Sequence, residues 1–248
     1  MHATVELRNV VLAYGGTRRV DDLTLDIEAG RIFGLLGPNG AGKTTTVNLI
    51  TGMLEPDAGQ VRVAGLDPVR DARQVRRLIG LVTQDTALYP ELSARENLRF
   101  HGALYLDDLR PLATRIDHIL DLVELRDRSQ EPVKNFSGGM KRRLAIGRAM
   151  LHEPKLLLLD EPTLGVDVQG SYRIWDYIGT LRDSGMTVVV TTNNMGEADY
   201  LCDELAIIDH GALVTQGTPA ALKATHGAQT LGEVFLAETG RELRDAAV

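Results

Sequence analysis

Cysteine is nearly absent from these 248 residues: Cys202 is the only one. A single thiol excludes an internal disulfide framework, and beside an apolar run it reads as a packed side chain in a reducing compartment. An excess of positive charge is also missing. Lys and Arg number 27 against 34 Asp and Glu, a formal net charge of -7. That balance argues against broad, sequence-independent nucleic-acid binding, and no nucleic-acid partner is expected. Long hydrophobic runs are lacking, since the longest, such as LLLL at 156–159, are strand-sized. The first residues, MHATVELRNV, have no basic stretch followed by an apolar core, so no signal peptide is read. The expected location is cytoplasmic, and action at a membrane would need another chain to cross it. Six histidines are scattered without metal-ligand spacing to Cys202. No repeat, low-complexity segment or flexible linker stands out.

What is present is ordinary for a globular α/β protein: 44% hydrophobic and 25% charged residues. The length suits one large α/β domain, with or without a subdomain. VELRNVVLAY (5–14) and LTLDIE (23–28) alternate like strands of an antiparallel edge sheet. RIFGLLG (31–37), KLLLLD (155–160), MTVVVTT (186–192) and ELAIIDHG (204–211) read as buried strands; QVRVAG (60–65) and LIGLVT (78–83) read as further strands. Strands alternating with helices predict a mainly parallel sheet covered on both faces. The stretch from Thr86 to Leu151 interrupts this alternation and predicts an inserted helical subdomain. Its entry at Ser93, with Glu96 three residues on, has the pattern of a capping box. Residues 1–218 are expected to form the main domain and 219–248 a tail of one or two packed helices. Arg70, Arg73, Arg76 and Arg77 read as a solvated basic face.

The strongest local motif is GPNGAGKTT: Gly37, Pro38, Asn39, Gly40, Ala41, Gly42, Lys43, Thr44 and Thr45. It follows a predicted strand and opens a predicted helix, as a phosphate-binding P-loop must. Glycines let backbone N–H groups turn toward phosphate oxygens, Lys43 carries charge to the β- and γ-phosphates, and the Thr44 hydroxyl suits Mg²⁺. The plainer alternative is a Gly-rich turn before a helix with a solvated lysine. LLLLDEPT (156–163) ends a buried strand in Asp160, a candidate outer ligand for Mg²⁺, and Glu161, a candidate general base. By themselves two acids after a strand could equally be solvated caps. NFSGGMKRRLAIGRAML (135–151) puts Ser137, Gly138 and Gly139 before a helix carrying Lys141, Arg142, Arg143 and Arg148. That is either an anion site at a helix N-terminus or a plain capped helix with a basic exposed face. After VVVTT, residues Asn193 and Asn194 read alone as an ordinary turn or helix cap.

Taken together and in this order, Gly37–Thr45, Gln84, FSGGMKRRLA and LLLLDEPT resemble the nucleotide-binding subunit of ABC transporters. FSGGM and the tail LGEVFLAETGRELRD look most like the ABC-2 type drug-resistance and multidrug-export ATPases. The resemblance implies an α/β P-loop NTPase fold of the RecA-like kind, with an antiparallel β edge subdomain and an inserted helical subdomain. It implies two copies enclosing two Mg-ATP molecules, each between the P-loop of one and the Ser137–Gly139 segment of the other. It implies a separate transmembrane permease, with this subunit peripheral on the cytoplasmic face of the cell membrane. Tyr14, by itself a partly buried strand tyrosine, matches the aromatic that stacks on adenine. Gln84 matches the glutamine that touches Mg²⁺ and the attacking water. The segment following it, 86–106, would dock on the permease through exposed residues such as Leu88 and Tyr89. Asp167 matches the acid that communicates across the dimer, although Leu164 and Val166 beside it are looser matches. Asn193 stands where the family usually carries a histidine that contacts the γ-phosphate. An amide still donates, but it is shorter and cannot become cationic, so slower hydrolysis is expected. Two other readings compete: a non-transport ABC ATPase such as an iron–sulfur assembly factor, and a weakly hydrolysing nucleotide-binding regulatory module.

Overall fold

Alternating residues near the N-terminus build one sheet, and continuous apolar runs build another. The computed structural model describes residues 3–105 and 110–240. The last part of the expected tail, 241–248, and Leu106 at the end of the expected docking segment lie outside the described residues. Strands β1 (Ala3–Tyr14), β2 (Thr17–Glu28) and β4 (Ala58–Val63) form an antiparallel sheet in the order β2-β1-β4. QVRVAG thus joins the edge sheet, pairing with β1. The β1–β2 hairpin turns through Gly15 and Gly16, whose φ of 54° and 80° match the two-residue turn that fits strand twist. This turn leaves Tyr14 at the hairpin tip, paired with Thr17.

The second sheet contains β3 (Ile32–Leu36), β5 (Ile79–Val82), β6 (Leu156–Asp160), β7 (Thr187–Thr192), β8 (Glu204–Asp209) and β9 (Ala212–Gly217). Its order is β5-β6-β7-β3-β8-β9; the first five are parallel and β9 runs antiparallel to β8. Every residue of β3, β6 and β7 is buried, which explains why these strands are apolar without alternation. Side chains still alternate between the faces. Phe33, Leu35, Leu156, Leu158 and Val189 pack toward the antiparallel sheet and α1 (Lys43–Ile50). Leu36, Leu157, Leu159, Val188 and Val190 pack into a larger core with the remaining helices.

Those helices are α3 (Ala94–Tyr105), α4 (Leu112–Leu122), α5 (Gly138–Ala149), α6 (Val168–Asp183), α7 (Met195–Leu201), α8 (Pro219–His226) and α9 (Leu231–Thr239). The capping box forms as expected: Ser93 Oγ accepts from the Glu96 N–H at 3.2 Å, and Glu96 Oε2 accepts from the Ser93 N–H at 2.8 Å. The short helix α2 (Ala72–Leu78) carries its arginines, with Arg70 just before it, to the solvent. Helix α9 buries Leu231, Val234 and Phe235 in the same core as the large sheet. Cys202 is buried under β3, so close that a Cβ on Gly34 would lie 2.7 Å from its Sγ. Burial pushes that thiol well above its usual pKa. Among the described residues no helix is long and apolar enough to cross a membrane.

Two expectations need correction. Helix α5 has no basic exposed face, because Arg142 is buried and Lys141, Arg143 and Arg148 are half-buried. Leu88 is not exposed but packs partly buried against the main core.

Candidate functional site

The carboxyl ends of β6, β7 and β3 lie side by side, the place where open parallel sheets present ligand-binding loops. The loop after β3 is glycine-dependent at both ends. A Cβ on Gly37 would lie 2.3 Å from the Ile208 carbonyl oxygen, and one on Gly42 would lie 2.5 Å from that of Arg19. Gly42 also has a φ of 108°, which L side chains rarely adopt. The chain then enters α1, and the N–H groups of a helix's first turn have no acceptor within the helix and suit an anion held by the preceding loop.

Lys43 is only 5% exposed. Its Nζ donates to the carbonyls of Gly37 at 2.8 Å and Pro38 at 3.1 Å, and lies 3.7 Å from Glu161 Oε1. The ammonium is therefore held in place by the loop it serves. Thr44 Oγ1 donates to Asp160 Oδ2 at 3.0 Å, and the Thr191 hydroxyl donates to Asp160 Oδ1. Thr44 and Asp160 meet at this hydrogen bond and Gln84 lines the same cleft as Thr44, so a hydroxyl, one carboxylate and an amide oxygen are on offer. No group of three or more His, Cys, Asp or Glu among the described residues could hold a metal by itself. Such a set fits a hard cation that takes its other ligands from phosphate and water.

Glu161 follows Asp160 directly but leaves the strand differently. Its φ of 48° is left-handed, and its N–H donates to the Thr191 carbonyl at 3.0 Å. That conformation costs an L-residue roughly 1–2 kcal/mol. It directs the carboxylate toward Lys43 while Asp160 stays against the threonines.

An open cleft of about 440 Å³ gathers Tyr14, Asn39, Gly40, Gly42, Lys43, Thr44, Thr45, Gln84, Glu161 and Asn193. Pro38 and Ala41 are buried beneath it. Two further lining residues, Arg19 and Leu164, are not expected in the site from the sequence; Leu164 is there only a looser match beside Asp167. Arg19 reaches the cleft only because β2 packs its backbone against Gly42 and Gly211. The paired asparagines divide their roles. Asn194 caps α7, its Oδ1 accepting from the Glu197 N–H at 3.1 Å. Asn193 is left to line the cleft.

Ser137, Gly138, Gly139 and Asp167 are not in this cleft. Ser137 caps α5 by accepting from the Met140 N–H at 3.3 Å, and Asp167 caps α6 by accepting from the Gly170 N–H at 2.7 Å. The two caps are neighbours: a Cβ on Gly138 would lie 3.4 Å from the Gly165 carbonyl oxygen. Ser137 and Gly138 are exposed, and so is Val168 beside Asp167.

Residues 20–164 match the family model described as ABC transporter. The linearmycin resistance ATP-binding protein LnrL of Bacillus subtilis is 39% identical over 227 residues, covering 92% of this chain and 73% of that protein. The daunorubicin resistance ATP-binding protein DrrA3 of Streptomyces coeruleorubidus is 41% identical, covering 92% and 72%. Among solved structures, an ATP-binding subunit of an ABC transporter superposes with a TM-score of 0.83 at 27% identity, covering 95% of this chain and 99% of that one. A dimeric ATP-binding cassette in a post-hydrolysis state, bound to ADP and Pi, superposes with a TM-score of 0.75 at 26% identity, covering 86% and 98%. The family match runs through the P-loop and the Asp160–Glu161 pair, and the two relatives are resistance proteins matched over 92% of this chain. The chain belongs to the ABC transporter family, as an ATP-binding subunit homologous to exporter ATPases.

Proposed function

We propose that this subunit hydrolyses Mg-ATP on the cytoplasmic face of the cell membrane to drive an exporter, closing on a second copy of itself when ATP binds. The observation that carries this reading is the division of the site. One cleft holds Lys43, Thr44, Gln84 and Glu161, with buried Asp160 hydrogen-bonded to Thr44, while Ser137–Gly139 and Asp167 sit together on a separate surface. Each copy thus has half of each of two sites, and only a closed pair completes them. ATP contacts that exist only in the closed pair shift the population toward it, and cleavage releases it.

Within that frame Lys43 and the loop N–H groups bind the β- and γ-phosphates. Thr44, Asp160 and Gln84 would hold Mg²⁺, which would supply neutralising charge for the transferred phosphoryl group. Glu161 accepts the proton of the attacking water. Tyr14, 48% exposed at the hairpin tip, offers its ring to adenine. The segment after Gln84 supports permease docking, since Tyr89 and Phe100 meet edge to face at 5.0 Å with Leu104 and Tyr105 exposed nearby. The names of the relatives favour an exporter over an iron–sulfur assembly factor, and the placement of Glu161 beside Lys43 favours hydrolysis over a purely regulatory module.

Mixed copies test the division. Lys43→Ala and Ser137→Arg proteins should each be inactive alone. Mixing them creates pairs in which one site has both an intact P-loop and an intact Ser137, so phosphate release should reappear. Persistent inactivity of the mixture, with both variants folded and paired, would sink the shared-site reading.

Asn193 gives a second test. If its amide donates to the γ-phosphate, Asn193→Ala loses a charge-assisted hydrogen bond of roughly 1.5–3 kcal/mol, or about tenfold to a hundredfold in turnover. Because Asn194 is the cap, Asn194→Ala should instead cost about 1 kcal/mol of stability and little rate. Asn193→His should raise turnover above the natural rate and add an inflection near about pH 6.5. Turnover at saturating Mg-ATP across that pH range decides it; equal rates for the natural, Ala and His proteins would remove Asn193 from the chemistry.

A further inference from the structure

Arg142 is 4% exposed and lies on α5, five residues beyond Ser137. At 1.5 Å per residue the exposed helix start and the Arg142 backbone are about 7.5 Å apart along one rigid axis. The guanidinium leaves its own helix and ties together two loops of the cleft. Nη1 donates to the carbonyl of Thr83 at 2.7 Å and to that of Gln84 at 3.4 Å, while Nη2 donates to the carbonyl of Asp160 at 2.5 Å. All three acceptors are backbone oxygens just at or beyond the ends of β5 and β6. Fixing the Gln84 carbonyl fixes the peptide plane that follows it, and hence the direction in which the Gln84 side chain leaves the chain.

A purely structural role would be better filled otherwise. Burying a cation is costly unless its donors are satisfied, and an apolar side chain of similar volume often stabilises more. Here the Nε remains without a partner, and burial lowers the pKa to about 10 against the favourable pull of Asp160, Glu197 and Glu161. The planar fork does what an apolar residue cannot: it links one helix to two loops at once.

We propose that Arg142 is a positioning residue that couples the Ser137–Gly139 end of α5 to Gln84 and Asp160 of the same chain. This rests on the reading that Ser137–Gly139 contacts the nucleotide held by the P-loop of a second copy. Seating that nucleotide moves α5 against the sheet, and Arg142 carries the movement to the peptides that aim Gln84 and Asp160. Occupancy of one site thereby prepares the other.

The test uses Arg142→Lys, which keeps the charge and loses the fork, in the full chain with its membrane subunit. ATP affinity of the isolated chain should stay within about twofold, since the P-loop is untouched. Turnover should fall about tenfold to a hundredfold, as for other misplacements of a reacting group. The Hill coefficient for ATP should drop to about 1, because the sites no longer communicate. In a Glu161→Gln background, Mg-ATP should slow amide hydrogen exchange over residues 83–87, and adding Arg142→Lys should remove that protection. Arg142→Gln, a shorter planar donor, should give the same pattern and replaces the Lys variant if that one does not fold. Natural turnover and Hill coefficient in the variant would overturn the proposal. A parallel loss of ATP affinity and turnover, or failure of both variants to fold, would overturn it in favour of a structural role. If instead protein with native Arg142 shows neither ATP-driven pairing nor protection, the shared-site reading itself has failed.

Discussion

Glu161→Gln should bind Mg-ATP and lose hydrolysis by about 10²–10⁴-fold, the usual contribution of a positioned general base. The amide keeps the shape of the carboxylate and cannot take a proton from water. Its neighbours are left in place: Lys43 retains the carbonyls of Gly37 and Pro38 at 2.8 and 3.1 Å, and Asp160 retains its two threonine hydroxyls. Binding groups therefore survive while cleavage stops, and the closed pair should accumulate. Size-exclusion chromatography with Mg-ATP should show a shift to twice the mass, absent with ADP. Phosphate release at the natural rate would remove Glu161 from its assigned role.

Lys43→Ala should lose both affinity and turnover. The Nζ is already oriented by two carbonyl oxygens before any phosphate arrives, so its charge acts without reorganisation. Removing one charge-assisted contact of roughly 1.5–3 kcal/mol weakens ATP binding about tenfold to a hundredfold, with a further loss where charge develops in the transition state. The fold should persist, because the large apolar core on the α5 face does not include Lys43. Circular dichroism checks the fold, and calorimetric titration with ATP checks the affinity. Unchanged binding and turnover would refute the assignment of the loop.

How much was legible depended on how far apart in the chain the relevant atoms lie. The P-loop could be read because its glycines, lysine and threonine fall within nine consecutive residues, Gly37 to Thr45. The buried strands were legible from their unbroken apolar runs. The partner of QVRVAG was not, since alternation tells which face is wet but not which strand lies alongside. Arg142 looked like one of several basic residues on a helix face. Its true surroundings are carbonyls 59, 58 and 18 positions away, which no local pattern encodes. Arg19 was invisible for the same reason. Asn193 and Asn194 carry the same side chain one position apart. Which of them capped the helix turned on a boundary finer than periodicity can resolve.

Cys202 bears on how the proposed closure can be watched. Because the chain's one thiol lies under Gly34 with its ionisation suppressed, it should resist maleimide reagents at neutral pH. The natural chain is then already a silent background for site-directed labelling. A cysteine placed at exposed Gln130 and another at exposed Thr17 could carry a donor–acceptor dye pair without any prior thiol removal. Distances across two copies could thus be followed in real time through a turnover, in a protein whose interior has not been altered to permit the measurement.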